Sequence, residues 1–387
     1  MTSATLVFAS ALRHKMRAFA TIFGVAVSMT AFLFVRTIDD VWTVSMNTAS
    51  EDILYVMRGR PLGEKLPLNY LEKIRAALPE LKLVAPMMEL DAAWLGNRNE
   101  PFYAFATDAR IGREIFRDYA ISDEDAARWF DNPSSVIVGA TLARSLGWKI
   151  GQRLSFAVAG RGVLEVDVAG IYRPLRRGTY VRSILFHYPY VNAGAPPTQH
   201  DRADIFATKV TDPSRRKAVI SQIDELFAAY PIATKTVSEK ALALASAASM
   251  GLIFRLVDVI SLAVLLVMLS IIGNMIALSV SERTREYATL RALGFQPLTL
   301  AVFVLSESLT LVTIGATIGI VAGRALVNAI GETLVAAAPS FFNYFEVPSA
   351  LLFEGVALCI GLATLATIVP ALTAARVPVV NALRRAG

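Results

Sequence analysis

The sequence predicts an integral membrane α-helical fold: four transmembrane helices, with a mixed α/β extracytoplasmic domain inserted between the first and second. Three observations predict it. The 387 residues are 55% hydrophobic and only 18% charged, with a mean hydropathy of +0.50. The apolar residues gather in four blocks, Ala18–Val35, Val259–Val280, Leu298–Gly323 and Leu351–Ala375, each near the roughly 20 residues that a helix needs to cross a bilayer. The polar remainder, mainly Asp39 to Val237, is long enough for one or two small domains with cores of their own.

The first block follows Arg13, Lys15 and Arg17. It exceeds the ~7–15 apolar residues of a signal peptide and has no A-x-A site after it, so it reads as an uncleaved anchor. Ahead of it, Leu6, Val7, Phe8, Leu12 and Met16 alternate with these bases. Residues 1–17 therefore suit a cytoplasmic interfacial amphipathic helix; a plain start to the first span is the alternative. Charge also sets the orientation, because basic residues in short segments resist translocation. The loop after the second span carries Arg283, Arg285 and Arg291, and the tail carries Arg376, Arg384 and Arg385. No Lys or Arg occurs from Ala325 to Ala375. Both termini are then cytoplasmic and the inserted domain is outside.

No Gly or Pro interrupts the chain between Gly24 and Gly59, so the first helix can run on beyond the membrane as a stalk, giving a segment 18–58. The chain from Ser238, a candidate N-cap, to Glu286 lacks proline, and as one helix it would be roughly 70 Å long. Segment 238–297 thus reads as stalk, second span and cytoplasmic helix, and 298–387 as the third and fourth spans with a tail. Between the stalks, residues 59–237 mix element types. Leu68–Leu78, Asp123–Phe130 with Ser122 as cap, Thr141–Leu146 ended by Gly147, and Pro213–Tyr230 read as helices. Leu83–Pro86, Phe102–Thr107, Ser135–Gly139, Phe206–Val210 and the pair Arg153–Ala157 and Val163–Ile171 read as strands, the last two joined through Gly160 and Gly162.

Chemistry-bearing motifs are missing. There is no G-x-x-x-x-G-K-[ST], H-E-x-x-H, cysteine cluster or G-x-S-x-G, which argues against an enzyme. His14, His187 and His200 lack ligand spacing, so no metal site is expected, and the single Cys359 forms no intrachain disulfide. The formal charge of +6 lacks the basic patch with interleaved aromatics that nucleic acid requires. Within the spans, Glu307, flanked by Ser306 and Ser308, lies near the midplane of the third. Such an acid faces a bundle interior or a wet cavity, and both a transport role and a packing role stay open. Arg36 and Arg324, near outer ends of spans, are expected to snorkel to the headgroups. Gly315, Gly319 and Gly323 share one helix face and allow close helix packing, within the subunit or between subunits. The loop from Ser281 to Phe295 is charged in its first half; Tyr287, Leu290 and Leu293 then make an apolar ridge closed by Gly294. That pattern fits a short helix docking on a soluble partner, or an ordinary positive-inside loop.

The run Glu282-Arg283-Thr284-Arg285-Glu286-Tyr287-Ala288-Thr289-Leu290-Arg291-Ala292-Leu293-Gly294 resembles the E-R-x-R-E-[IF]-[GA]-x-[LM]-[RK]-A-[LI]-G motif of FtsX-like permeases, the membrane subunits of macrolide-exporter and lipoprotein-releasing ABC transporters. Ala11–Ala18 is similar to that family's basic entry to its first span. Val136–Gly139 through Leu146-Gly147, then Ile150–Gln152 and Val168–Ile171, is similar to its outer-domain pattern, and Pro370–Arg376 with Asn381–Arg384 to its ending. Tyr287 departs mildly from the usual Ile or Phe. The resemblance implies a non-catalytic permease of the bacterial inner membrane. It makes residues 282–294 the coupling helix to a separate ATPase subunit, which would bind the ATP and Mg, so that this chain holds no cofactor. It further implies a second permease, identical or heterologous, contact with membrane lipid, and in some members a membrane-fusion adaptor protein. ATP turnover would move the outer domain to export or release a cargo. A member that signals to a cell-wall hydrolase without transport is the rival reading, and a proton-coupled carrier using Glu307 a third.

Overall fold

The computed structural model describes residues 15–375 except 61–63, 82, 99, 178, 180–181, 250, 283, 338–341 and 343. The interfacial helix expected over 1–17 falls almost wholly on residues outside this set, as does the tail from Arg376. Two compact units result. One comprises the residues up to Asp40, Leu252–Gly331 and those from Phe345 on; the other is Val41–Gly251 with Glu332–Tyr344.

Among the described residues four helices are long and apolar enough to cross a membrane: α1 (Lys15–Thr48), α9 (Gly251–Glu282), α11 (Pro297–Ala337) and α12 (Ser349–Ala375). As the unbroken sequence requires, α1 continues past the first apolar block, and its 34 residues span about 50 Å. The helix ahead of the second span, α8 (Glu239–Ser249), begins at a cap in which Ser238 Oγ accepts the Ala241 N–H at 3.1 Å; Met250, between α8 and α9, is outside the described residues. Helix α11 runs well beyond the expected end at Gly323, because no proline stops it before Pro339. In the bundle, Val25, Met29, Phe32 and Leu33 of α1 pack with Met268, Ile272 and Ile276 of α9, Val304 and Val312 of α11, and Cys359 and Ala363 of α12.

The inserted domain contains β1 (Ile53–Arg58), β2 (Leu66–Pro67), β3 (Val84–Leu90), β4 (Ala92–Trp94), β5 (Tyr103–Thr107), β6 (Tyr119–Ala120), β7 (Ser135–Gly139), β8 (Arg153–Val158), β9 (Gly162–Pro174), β10 (Ser183–His187), β11 (Arg202–Ala203), β12 (Ile205–Lys209) and β13 (Thr234–Ser238). Its helices are α2 (Asn69–Ala77), α3 (Ala109–Ile115), α4 (Asp123–Asp131), α5 (Ala140–Leu146), α6 (Tyr188–Ala193) and α7 (Arg216–Phe227). Among the described residues eleven of the strands build a mixed sheet in the order β13-β1-β12-β3-β5-β10-β7-β9-β8-β4, with β6 beside β9, while β2 and β11 pair with each other. The β5–β10 and β7–β9 pairs are parallel and the others antiparallel.

Alternation across the pleat supplies both faces of the sheet. Val136, Val138, Ile184 and Phe186 join the main core under α2, α5, α6 and α7, while Ile137 and Leu185 join a second cluster with Ala126 and Trp129 of α4. This explains the continuous apolar run of β7, which is buried on both sides. Ser122 caps α4 by accepting the Asp125 N–H. Gly147 ends α5 at φ +69°, and Gly160 and Gly162 turn the β8–β9 hairpin at φ +74° and +75°; all three are left-handed positions that favour glycine. The stretch expected as one helix from Pro213 to Tyr230 is a 3₁₀ turn, Pro213–Arg215, followed by α7. The sheet also begins at Ile53, ahead of the boundary at residue 59, and Glu332–Tyr344 belongs with this unit instead of the spans. Strand β1 follows α1 without a Gly or Pro to announce it, so its pairing with β12 and β13 is a tertiary outcome.

Candidate coupling site

The expected coupling segment forms α10 (Thr284–Ala292), between α9 and α11. Its end is a Schellman turn: the Phe295 N–H donates to the Leu290 carbonyl at 3.1 Å and Leu293 N–H to Thr289 O at 3.0 Å, with Gly294 at φ +92°. Pro297 then opens α11, whose first turn closes through Thr299 N–H to Gln296 O at 3.0 Å. The whole reversal is therefore a short turn fixed at both ends.

The apolar ridge expected from Tyr287, Leu290 and Leu293 is divided. Ala288 is buried and Leu290 packs against the bundle core, whereas Leu293 is 72% exposed. Helix α10 also lies against α12. The exposed apolar side chains are Leu293, Phe295 at 47% and Leu298 at 72%. Sequence periodicity misses the last two because they follow Gly294 and no longer obey the α10 repeat. Glu282 and Glu286 are exposed; Arg283 lies outside the described residues, as do the side chains of Arg285, Tyr287 and Arg291.

Glu307 is buried at 5% exposure beside Ser308 at 6%. Ser306 Oγ donates to Phe303 O at 2.9 Å and Ser308 Oγ to Val304 O at 2.8 Å, so both hydroxyls serve their own helix. The glycine stripe packs inside the subunit, against α1. A Cβ on Gly315 would stand 2.9 Å from Ile22 O, one on Gly319 2.6 Å from Ala26 O, and one on Gly323 3.0 Å from Leu33 Cδ1. Thr30 Oγ1 donates to Gly319 O at 3.1 Å across the same contact. Arg36, expected to snorkel, is instead half-buried between Asp39 of its own helix at 2.8 Å and Glu354 of α12 at 3.6 Å; only the second partner is hidden from its sequence neighbourhood. Arg324 is exposed.

In the inserted domain, the two chain segments adjoining α1 and the second span are tied together. Strands β1 and β13 pair antiparallel with Leu54 opposite Ser238. Ser50 N–H donates to Glu239 Oε2 at 2.8 Å, Tyr55 Oη–H to Glu239 Oε1 at 3.3 Å, and Lys240 N–H to Ser50 O at 3.0 Å. Glu51 bridges Lys240 at 2.8 Å and Arg216 at 2.7 Å, and Arg216 also reaches Asp52 at 3.2 Å. Burial holds the Glu239 carboxyl above the usual carboxylate range, against the hydrogen bonds from Ser50 and Tyr55 that lower it. A carboxyl raised in the folded state stabilises it below the unfolded value, and that contribution is lost as pH rises through the folded value. Glu239→Gln is therefore expected to match or exceed the wild type in thermal stability at pH 7 and to flatten its decline from pH 4. Glu239→Ala leaves the Ser50 N–H without its acceptor and should cost about 1–3 kcal/mol. Unfolding curves of the detergent-purified protein at several pH values check both; a Gln variant as unstable as the Ala variant at pH 7 contradicts the assignment.

Comparison of the sequence with protein-family models agrees with this architecture. The family model described as FtsX-like permease C-terminal matches residues 259–379, and the model described as MacB-like periplasmic core domain matches residues 18–226, more than half of the chain. Comparison with curated proteins gives no match. Among solved structures, the extracellular domain of the noncanonic ABC-type transporter YknZ from Gram-positive bacteria aligns at 9% identity and TM-score 0.36, over 48% of this chain and 100% of that one. The periplasmic region of MacB from Actinobacillus actinomycetemcomitans aligns at 8% identity and TM-score 0.36, over 52% and 94%. By the match of both family models the chain belongs to the FtsX-like, MacB-like family of ABC transporter permease subunits.

Proposed function

We propose that this chain is the non-catalytic permease of an ATP-driven complex, which passes movement from a separate ATPase to the inserted domain. The domain then acts outside the bacterial inner membrane, both termini being cytoplasmic, to export or release a periplasmic or membrane-extracted cargo. ATP and Mg are bound by the ATPase and no cofactor by this chain. A second permease completes the complex, and a membrane-fusion adaptor protein would extend it where export crosses a further membrane.

One observation supports this reading above the others: the tie between the segments that lead to the first and second spans. Through β1–β13 pairing and the Ser50–Glu239–Lys240 exchange, a displacement of either stalk reaches the other and the edge of the sheet together. At the far end of α9, the capped turn after α10 offers Leu293, Phe295 and Leu298 to a soluble partner, with charged Glu282 and Glu286 nearby in the chain. Buried apolar anchors ringed by polar groups are what a protein interface requires.

The test uses the full chain reconstituted in lipid nanodiscs with the ATPase subunit that co-purifies with it. Fluorophores on the inserted domains of two copies should change their energy transfer on adding ATP and recover after hydrolysis. A distance indifferent to ATP, or a permease that purifies in active form with no ATPase, would sink the proposal.

A further inference from the structure

The last two residues of β9, Arg173 and Pro174, and the turn that follows, Leu175, Arg176 and Arg177, are all exposed. Leu175 is 64% exposed, an apolar side chain set among three arginines. The backbone under it is fixed. Strand β6 pairs with this end of β9, Tyr119 opposite Pro174 and Ala120 opposite Arg173, and the Leu175 N–H donates to Asp118 O at 2.9 Å. Leu175 is thus held outward by a short ladder and is not the tip of a loose loop. Arg176 pairs with Asp118 at 3.2 Å, both side chains remaining exposed, and the Arg177 guanidinium lies 5.1 Å from the centre of the Tyr344 ring.

Two observations place this knuckle at the end of the domain where the chain enters the membrane. Tyr344 belongs to the segment that leads from α11 into α12, and in that segment Phe342 stands 6.4 Å from Trp42, near the end of the first span. Tyr and Trp gathered at span ends mark the level of the headgroups. Arg176 and Asp118 also lie close enough to Glu239, the first residue of α8, to act on its charge.

Arginine recognises phosphate through paired N–H donors, and basic residues near an anionic bilayer surface each strengthen attachment roughly fivefold. An apolar side chain between them adds insertion into the headgroup layer. We propose that the Arg173–Arg177 knuckle docks on the surface of the bilayer that holds the protein, its arginines binding phosphates of anionic phospholipids while Leu175 enters the headgroup layer. The inserted domain is thereby braced on the membrane beside its stalks, and its movement depends on lipid charge. This inference rests on the membrane fold alone and holds whether or not an ATPase drives the protein.

The experiment places an environment-sensitive fluorophore at Leu175→Cys in a Cys359→Ala background, with the full chain in nanodiscs. Discs of phosphatidylcholine are compared with discs containing phosphatidylglycerol, each with and without lipids carrying a headgroup-level nitroxide. In anionic discs the fluorophore should shift to the blue and be quenched severalfold more than in neutral ones. High salt should reverse the effect, and so should Arg173→Gln/Arg177→Gln, which leaves the Arg176–Asp118 pair in place. Equal quenching in neutral and anionic discs, quenching that survives loss of both arginines, or protection seen only when a second protein is added would each overturn it.

Discussion

Replacing Leu293 and Phe295 together by aspartate is expected to abolish co-purification of the ATPase while leaving the permease folded. Both side chains are largely open, at 72% and 47% exposure, on the turn that closes α10. Burying each against a partner is worth about 2 kcal/mol, so losing both weakens the complex by about 4 kcal/mol, roughly a thousandfold in Kd. The introduced carboxylates add a desolvation penalty at the same interface. Leu290→Ala serves as the contrasting variant. Because Leu290 packs on the bundle core, its truncation should lower the unfolding temperature more than it lowers affinity. Affinity measured by titrating the ATPase onto nanodisc-held permease separates the two. Retention of full binding by the double aspartate variant would remove this turn from the coupling interface.

Gly319→Leu should prevent assembly of the membrane bundle. A Cβ at this position meets Ala26 O and Met29 Cβ, each at 2.6 Å, and a backbone oxygen within a helix has nowhere to move. Parting α1 from α11 enough to admit the side chain also breaks the Thr30–Gly319 hydrogen bond and opens the contacts at Gly315 and Gly323. Overpacking costs about 1–3 kcal/mol for small additions, and an entire leucine at such a contact should exceed the upper figure. We expect no monodisperse protein from Gly319→Leu and a lowered unfolding temperature for Gly319→Ala. Gly361, on α12, meets nothing within 4 Å, so Gly361→Leu should be tolerated. Equal behaviour of the Gly319 and Gly361 leucine variants would show that the stripe does not hold these helices together.

Elements with strong local signals are legible in the residue pattern itself. The four apolar blocks, the Ser122 and Ser238 caps, the Gly147 stop and the Gly160/Gly162 hairpin all stand where that pattern puts them. Each is decided by a few neighbouring residues through hydropathy, capping or a left-handed backbone. Strand β1 is hidden because no Gly or Pro separates Ile53–Arg58 from the helix before it, and only its partners 148 or more positions away make it a strand. The candidate site divides the same way. Gly294 and Pro297 announce the turn, but that Leu290 turns to the bundle core is settled by tertiary packing.

From residue order alone came the membrane class, the number of spans, the inserted α/β domain and the small-residue face of the third span, since each depends on composition and short-range periodicity. Only tertiary structure decided which helix the glycines meet, that Arg36 is paired with Glu354, and that Glu239 ties the roots of the two stalks. Those outcomes join residues far apart in the chain. Their energies arise from close packing and from desolvated polar groups finding partners, and no local pattern encodes a partner's address.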